Sequence, residues 1–357
     1  MVKALAVAER GRGRTSPNPM VGALVVDDEG VIVGRGAHLA VGGPHAEVHA
    51  LAEAAGGARG ATLYCTLEPC SHVGRTGPCA PVVVGAGIRR AVIATGDPNP
   101  LVAGRGLAHL RQHGIEVRLG VLQEEARRQN APFFSVVERQ RPFVTLKIAV
   151  SVDGKVAARA GARTPLTGAS ANRYIQRERA EVDAIAVGSG TILTDDPLLT
   201  PRGAFRGRPL ARVVFDRALR MPASARMLGT PAAGPIIVMT LPPQTAAARR
   251  TIEALTGAGA RVEVLEDADR FLPQALRRLA ALDVASLLVD GGPTLHHAFW
   301  TGGLVDRVEV FRTPGRLGDG GVPWLDRRTL DPQALPDART VALGDDILIE
   351  AYVHRAD

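Results

Sequence analysis

The sequence predicts an α/β fold divided into two domains, and three observations carry that reading. The chain has 357 residues, roughly twice the usual size of one domain. Short β-branched runs alternate with helix-like stretches along its length, the pattern of a mixed sheet layered with helices. The polar stretch Glu138–Pro142 interrupts this alternation, which then restarts. Domains are therefore expected at residues 1–141 and 142–357.

Taken in order, residues 1–12 read as a helix. Val21–Val26 and Val31–Val33 read as strands joined through Asp27-Asp28-Glu29-Gly30, a hairpin signal because glycine supplies the positive φ of a tight turn. His45–Ala55 reads as a helix with Pro44 in its first turn and a stop at Gly56-Gly57. Strand Ala61–Thr66, a loop dense in Gly, Pro and Cys, helix Pro81–Ala86, strand Ala91–Thr95, helix Gly106–His113 and strand Glu116–Leu119 follow. Beyond Pro142, strands are expected at Phe143–Val150, Ala184–Val187, Arg212–Phe215, Pro235–Met239, Ser286–Asp290, Val308–Phe311 and Asp346–His354. Helices are expected at Ala169–Arg179 and Leu272–Leu282.

Hydrophobic residues make up 46% and charged residues 22% of the chain, too apolar for disorder. No run of about 18 uncharged apolar residues suggests a membrane span, and MVKALAVAERGRGR lacks the apolar core and cleavage site of a signal peptide. Three cysteines cannot form a disulfide framework, and a cytoplasmic protein is expected. The net charge is +7, but the arginines are scattered and aromatics are only 4%, so no base-stacking platform for nucleic acid is evident. Phosphorylated small molecules suit such a surface better.

The first chemical signal is GGPHAEVHAL. His45 and Glu47 are two positions apart, about 200° round a helix, yet at a helix start both side-chain ends can reach one pocket. The second is TLEPCSHVGRTGPC, which supplies Cys70 and Cys79. One imidazole and two thiolates suit zinc and leave a fourth position open for water, whose pKa bound zinc lowers toward ~7. A carboxylate that is not a ligand can then move the proton to a departing amine. His-x-Glu followed by Pro-Cys is the zinc deaminase pattern, here with a longer spacing between the cysteines. Cys65 and His49 are rival ligands; Cys65 sits inside a predicted strand, where a core role is commoner. In the second half, Val289-Asp290-Gly291-Gly292-Pro293-Thr294-Leu295 reads as a strand entering a glycine turn and a helix, a place where backbone N–H groups accept phosphate. Gly188-Ser189-Gly190-Thr191 and Asp195-Asp196-Pro197 follow another strand end. Either could equally be an ordinary strand-to-helix turn.

HAEVHAL, TLEPCSHVGRTGPC, PNPMVGALVV and DPNPLVAGRG resemble the bifunctional riboflavin-biosynthesis deaminase–reductase family, whose own cysteine spacing is the long one. LKIAVSVDGKVA, TGASANRYIQRERAEVDAIAVGSGTILTDDPLLTPR and VDGGPTL are similar to its reductase half. The resemblance implies a cytidine-deaminase-like three-layer domain followed by a dihydrofolate-reductase-like α/β domain. It implies zinc-dependent deamination of 2,5-diamino-6-ribosylamino-4(3H)-pyrimidinone 5′-phosphate, then NADPH reduction of the ribosyl group of 5-amino-6-(5-phosphoribosylamino)uracil. Carried over, His45, Cys70 and Cys79 are zinc ligands, Glu47 is the proton shuttle, and Asn18, His38, His72 and Arg75 hold the pyrimidine or its phosphate. Val150, Pro165, Thr191, Asp195, Arg217, Gly292, Pro293, Thr294, Leu295, His296, His297 and Ala298 are expected on NADPH. Arg163, Arg179, Leu199, Arg202 and Asp290 are expected on the second substrate, with Arg179 and Arg202 as a phosphate clamp.

Some positions depart from the family. Arg163-Thr164-Pro165-Leu166-Thr167 lacks an aromatic cofactor contact, Arg217 replaces a serine and suggests a partner for the NADPH 2′-phosphate, and Asp290 replaces a glutamate. The chain has three lysines, and Lys147 or Lys155 is expected to have a task. A homo-oligomer is expected, with no nucleic acid and no membrane as partner. Two rival readings are a deaminase whose second domain no longer reduces and a nucleic-acid base deaminase.

Overall fold

The structure, a computed structural model, describes residues 1–71, 77–325 and 330–353. They form two compact units, residues 1–140 and residue 141 onward.

In the first unit, α1 (Val2–Ala8) leads to the strands β1 (Gly22–Val26) and β2 (Ile32–Ala37). Then come α2 (Ala46–Ala54), β3 (Thr62–Leu67), α3 (Cys79–Gly85), β4 (Arg90–Thr95), α4 (Arg105–Gln112), β5 (Glu116–Leu119), α5 (Gln123–Gln129) and α6 (Ala131–Arg139). The sheet order is β2-β1-β3-β4-β5, antiparallel at β2-β1-β3 and parallel at β3-β4-β5. Alternate residues of β1, β3 and β4 (Ala23, Val25, Leu63, Cys65, Ala91, Ile93) share one core with α2, α3 and α4. On the opposite face Gly22 lies under α1, where a Cβ would stand 2.1 Å from the Ala4 carbonyl oxygen. This arrangement is the three-layer domain expected.

The hairpin turn is as read: Asp27 Oδ1 accepts from the Glu29 and Val31 amides at 3.1 and 2.8 Å, and Gly30 has φ +81°. The second strand, however, continues past Val33 to Ala37. Gly34 and Gly36 hide it in the sequence, since glycine is depleted in strands. They are there because α2 lies directly on β2: a Cβ would stand 2.1 Å from the Ala50 oxygen at Gly34 and 1.9 Å from the Ala46 oxygen at Gly36. Helix α2 starts at Ala46, with His45 as an extended N-cap (φ −77°, ψ 165°), so Pro44 lies ahead of the first turn instead of in it. Helices α5 and α6 are not anticipated by the sequence reading, and α6 runs into the stretch read as linker, ending where Gln140 turns to φ +54°. Buried Asn130 ties this region to the site, exchanging hydrogen bonds with the Met20 amide (2.7 Å) and carbonyl (2.8 Å).

The second unit contains β6 (Phe143–Ser151), β7 (Lys155–Ala157), α7 (Ala169–Glu181), β8 (Ala184–Gly188), α8 (Ser189–Asp195), β9 (Ala211–Phe215), β10 (Ile236–Thr240), α9 (Ala246–Gly257) and β11 (Arg261–Val264). It continues with α10 (Phe271–Ala280), β12 (Ser286–Val289), α11 (Pro293–Thr301), β13 (Arg307–Thr313), β14 (Val322–Pro323), β15 (Arg339–Leu343) and β16 (Asp346–Tyr352). The main sheet runs β11-β10-β9-β8-β12-β6-β13-β16-β15, parallel through β13 and antiparallel at the last two strands. One face packs on α10 and α11, the other on α8 and α9. Strands β7 and β14 form a separate ribbon. Helix α9 escapes the sequence reading because its twelve residues bury only Leu255 fully, leaving little apolar periodicity. The last predicted strand ends at Tyr352; His354 lies outside the described residues.

Candidate functional site

In the first unit, the start of α2, the end of β3 and the start of α3 converge. The donor atoms of His45, Cys70 and Cys79 all lie within 4.8 Å of one another. His45 Nδ1 is 3.1 Å from Cys79 Sγ and 3.5 Å from Cys70 Sγ. His45 reaches the cysteines because its extended backbone throws the ring off the end of the helix, while Glu47, in the first turn, is buried at 3% exposure. The Cys79 thiol and its amide, 3.4 Å away, turn toward the Cys70 sulfur and with His45 lower the Cys70 pKa, while the hydrogen bond to Cys70 and burial raise that of Cys79. Burial pushes the Glu47 carboxyl up to about 7, close to neutrality, where a group can both take and give a proton. Two sulfurs and one imidazole nitrogen are a donor set that fits zinc.

His45, Glu47 and Cys70 open into a cavity of about 270 Å³ lined also by Asn18, His38, Glu68, Asp97, Asn99, Val102 and Phe133, whereas Cys79 is fully buried. Asn18 Nδ2 lies 3.2 Å from His38 Nε2, and His38 Nδ1 lies 3.2 Å from the Pro44 oxygen. With Asn18 donating, His38 donates from Nδ1 and is neutral, in line with a pKa lowered chiefly by burial. Cys65 is buried in the core, and neither it nor His49 belongs to the cluster found among the described residues. His72 and Arg75 lie outside the described residues. Glu68, Asp97 and Asn99 lie inside motifs noted in the sequence but without an assigned role, and Phe133, on α6, has no local signal that ties it to the site.

The second unit holds a larger cavity, about 1570 Å³, at the C-terminal ends of its parallel strands. It is lined by Arg163, Pro165, Arg179, Thr191, Asp195, Arg202, Arg217, Asp290, Gly292, Pro293, Thr294, Leu295 and Ala298. Four further expected residues do not line it. Val150 and Leu199 are buried in core clusters, and His297 is exposed. His296 is wholly buried behind the cavity, its Nε2 3.2 Å from the Val289 oxygen and its Nδ1 accepting from Trp324 Nε1 at 3.1 Å. Lys147 also lines the cavity and donates to Asp290 Oδ1 at 3.1 Å, while Arg179 donates to the other oxygen. Burial alone would raise the Asp290 pKa; the two cations outweigh it and hold the carboxyl ionised, well below the usual carboxylate range. Asp195 titrates high because of burial, partly offset by Arg163. The Gly291-Gly292 turn packs tightly, a Cβ at Gly291 falling 2.9 Å from Leu295 Cδ2. The Arg217 guanidinium donates to the Ala268 oxygen at 3.2 Å and lies over the Phe271 ring.

Comparisons with known proteins match both halves of the chain. Residues 1–95 match the cytidine and deoxycytidylate deaminase zinc-binding region, and residues 142–349 match the RibD C-terminal domain. Riboflavin biosynthesis protein RibD of Aquifex aeolicus is 41% identical over 98% of this chain and 96% of its own length. That of Escherichia coli is 37% identical over 93% of each. Among solved structures, RibD of Acinetobacter baumannii is similar with a TM-score of 0.86 at 33% identity, covering 98% of this chain and 97% of its own. A diaminohydroxyphosphoribosylaminopyrimidine deaminase/5-amino-6-(5-phosphoribosylamino)uracil reductase of Thermotoga maritima gives 0.83 at 35% identity, covering 98% and 96%.

Proposed function

Since the chain belongs to the RibD family of riboflavin biosynthesis, zinc- and NADPH-dependent enzymes that combine a deaminase with a reductase, we propose which residues carry each step. Residues 1–141 are the deaminase and 142–357 the reductase. The observation that carries the reading is the convergence of His45, Cys70 and Cys79 donor atoms within 4.8 Å of one another, with His45, Cys70 and buried Glu47 on the wall of one cavity.

His45, Cys70 and Cys79 hold the zinc. Bound there, zinc is a Lewis acid that makes a water molecule acidic enough to lose a proton near neutral pH. Glu47 takes that proton and delivers it to the 2-amino group of the diaminopyrimidine nucleotide, which leaves as ammonia while the ring carbon gains the water oxygen. A carboxyl with a pKa near 7 suits both halves of that transfer. Asn18 and His38 line the same cavity and position the pyrimidine. His72 and Arg75 are assigned to the substrate by resemblance alone.

In the second unit, NADPH bound in the larger cavity would supply the hydride needed at C1′ of the ribosyl group. Opening the sugar ring also needs a proton at the ring oxygen, and Lys147 is the lysine among the described residues that lines this cavity. Asp290 accepts from Lys147 Nζ and holds it oriented. Arg179 and Arg202, both on the cavity wall, bind the substrate phosphate, and Arg163, on the wall of the same cavity, also faces the substrate. Thr191, Asp195, Arg217 and the Gly292–Leu295 turn with Ala298 bind NADPH, and Pro165 takes the place of the family's aromatic contact. Val150, His296 and His297 act on the cofactor, and Leu199 on the substrate, only through neighbours.

A homo-oligomer is in keeping with the outer strand β15, four of whose five residues are exposed. A cytoplasmic site fits three free cysteines; no described helix is long and apolar enough to cross a membrane. The decisive experiment incubates the zinc-loaded chain with the diaminopyrimidine nucleotide, with and without NADPH, and resolves products by mass. Deaminated product alone without NADPH, and reduced product with it, is expected. NADPH left unconsumed would overturn the reductase assignment, and absence of deamination would overturn the substrate.

A further inference from the structure

Glu68 ends up at the wall of the deaminase cavity, one residue before Pro69-Cys70, and its buried carboxylate accepts four backbone N–H groups. Oε2 takes the amides of Asp97 at 3.3 Å and Gly104 at 3.0 Å; Oε1 takes those of Gly106 at 3.0 Å and Leu107 at 3.2 Å. Three of these are the opening amides of α4. That helix needs an outside partner. Its N-cap is Gly104, which makes no side-chain cap, and its first turn contains no acid. A carboxylate from the end of β3 does both tasks, satisfying orphan donors and opposing the positive end of the helix. The fit is close on the other side as well, since a Cβ on Gly106 would stand 1.9 Å from the Pro69 oxygen.

The segment so held is the one that brings Asp97, Asn99 and Val102 to the cavity. It is braced internally, with Asp97 Oδ1 accepting from the Asn99 amide at 2.8 Å and Asn99 Oδ1 from the Leu101 amide at 3.0 Å. Nothing in its own sequence fixes where it sits relative to Cys70. Glu68 does, because one side of the residue continues into the metal loop and its carboxylate grips the loop opposite.

We infer that Glu68 is a positioning residue for the deaminase: it clamps residues 97–107 against the zinc loop and thereby sets affinity for the pyrimidine nucleotide, without holding the metal. The inference rests on the deaminase reading above. Glu68→Gln keeps the size but turns one end into a donor facing amide donors; Glu68→Asp keeps the charge but falls one methylene short. Both variants, as full-length chains, are to be measured for zinc content, for KM and kcat with the diaminopyrimidine nucleotide, and for hydrogen exchange at the amides of Asp97, Gly104, Gly106 and Leu107. Expected are unchanged zinc, KM raised about tenfold or more in Glu68→Gln and less in Glu68→Asp, kcat within about threefold, and faster exchange in the same order. An unmoved KM, unmoved exchange, or zinc and kcat lost together at constant KM overturns it. Failure of the wild-type zinc protein to deaminate the nucleotide would refute the underlying reading instead, and the exchange data would still judge the clamp.

Discussion

At the scale of single residues, function here depends on groups whose charge is set by burial. His296 illustrates this. Burial lowers its pKa to about 4, more than Asp290 and the Val289 carbonyl can restore. Its unfolded value is 6.5, so between 6.5 and about 4 the unfolded chain binds a proton that the folded one refuses, and stability falls as pH falls through that window. The full loss is on the order of 3 kcal/mol. Thermal melts at pH 7 and pH 5 will show the second unit of the wild type losing more than that of His296→Gln; equal losses would mean another group controls acid sensitivity. Arg217 makes a different kind of prediction. A guanidinium pairs bidentately with phosphate, so Arg217→Ala is expected to weaken NADPH binding about tenfold, by fluorescence titration, and leave NADH binding unchanged. Equal affinity for NADPH in both proteins would remove Arg217 from the cofactor site. Both residues were named from sequence, but only the fold separates them. Sequence places His296 and Leu295 side by side; helical geometry turns one into the core and the other to the cavity.

At the scale of elements, the zinc-site geometry depends on how closely α2 lies on β2. Gly36→Ala would place a Cβ 1.9 Å from the Ala46 oxygen, and the helix start must move. A destabilisation of about 1–3 kcal/mol and a fall in zinc content are expected, because His45 is the residue just before Ala46. Gly57→Ala is the control, since its nearest neighbour would be Val33 Cβ at 3.6 Å, an ordinary contact. Zinc retained in Gly36→Ala would show that the helix can shift without carrying His45 along. The glycines explain why this strand was half legible. Local propensity reads Gly34-Arg35-Gly36 as loop, whereas the structure needs a strand with no side chains on that face. Helices α5 and α6 were missed for a related reason: their burial is against distant parts of the chain, such as the Asn130 bonds to Met20.

At the scale of the whole molecule, each compact unit contains its own cavity, lined by its own residues. The activities should therefore separate by point substitution. Glu47→Gln is expected to lower deamination by about 10²–10⁴-fold while the same chain reduces added 5-amino-6-(5-phosphoribosylamino)uracil at the wild-type rate and keeps its zinc. A matching loss of reduction, measured as NADPH oxidation, would show that the two units depend on each other. The sequence alone determined the α/β class, most of the strands and the membership of the His45-Cys70-Cys79 cluster. Those signals are short in range: two-residue alternation, a turn glycine, and ligands clustered in two motifs with a recognisable spacing. The tertiary structure decided what depends on contacts between segments far apart in the chain. It placed Glu68 under α4, joined Lys147 and Arg179 to Asp290, and drew His296 away from the cavity. No local pattern encodes which buried carboxylate meets which amide or cation, because that choice is made only when separate strands and helices pack together.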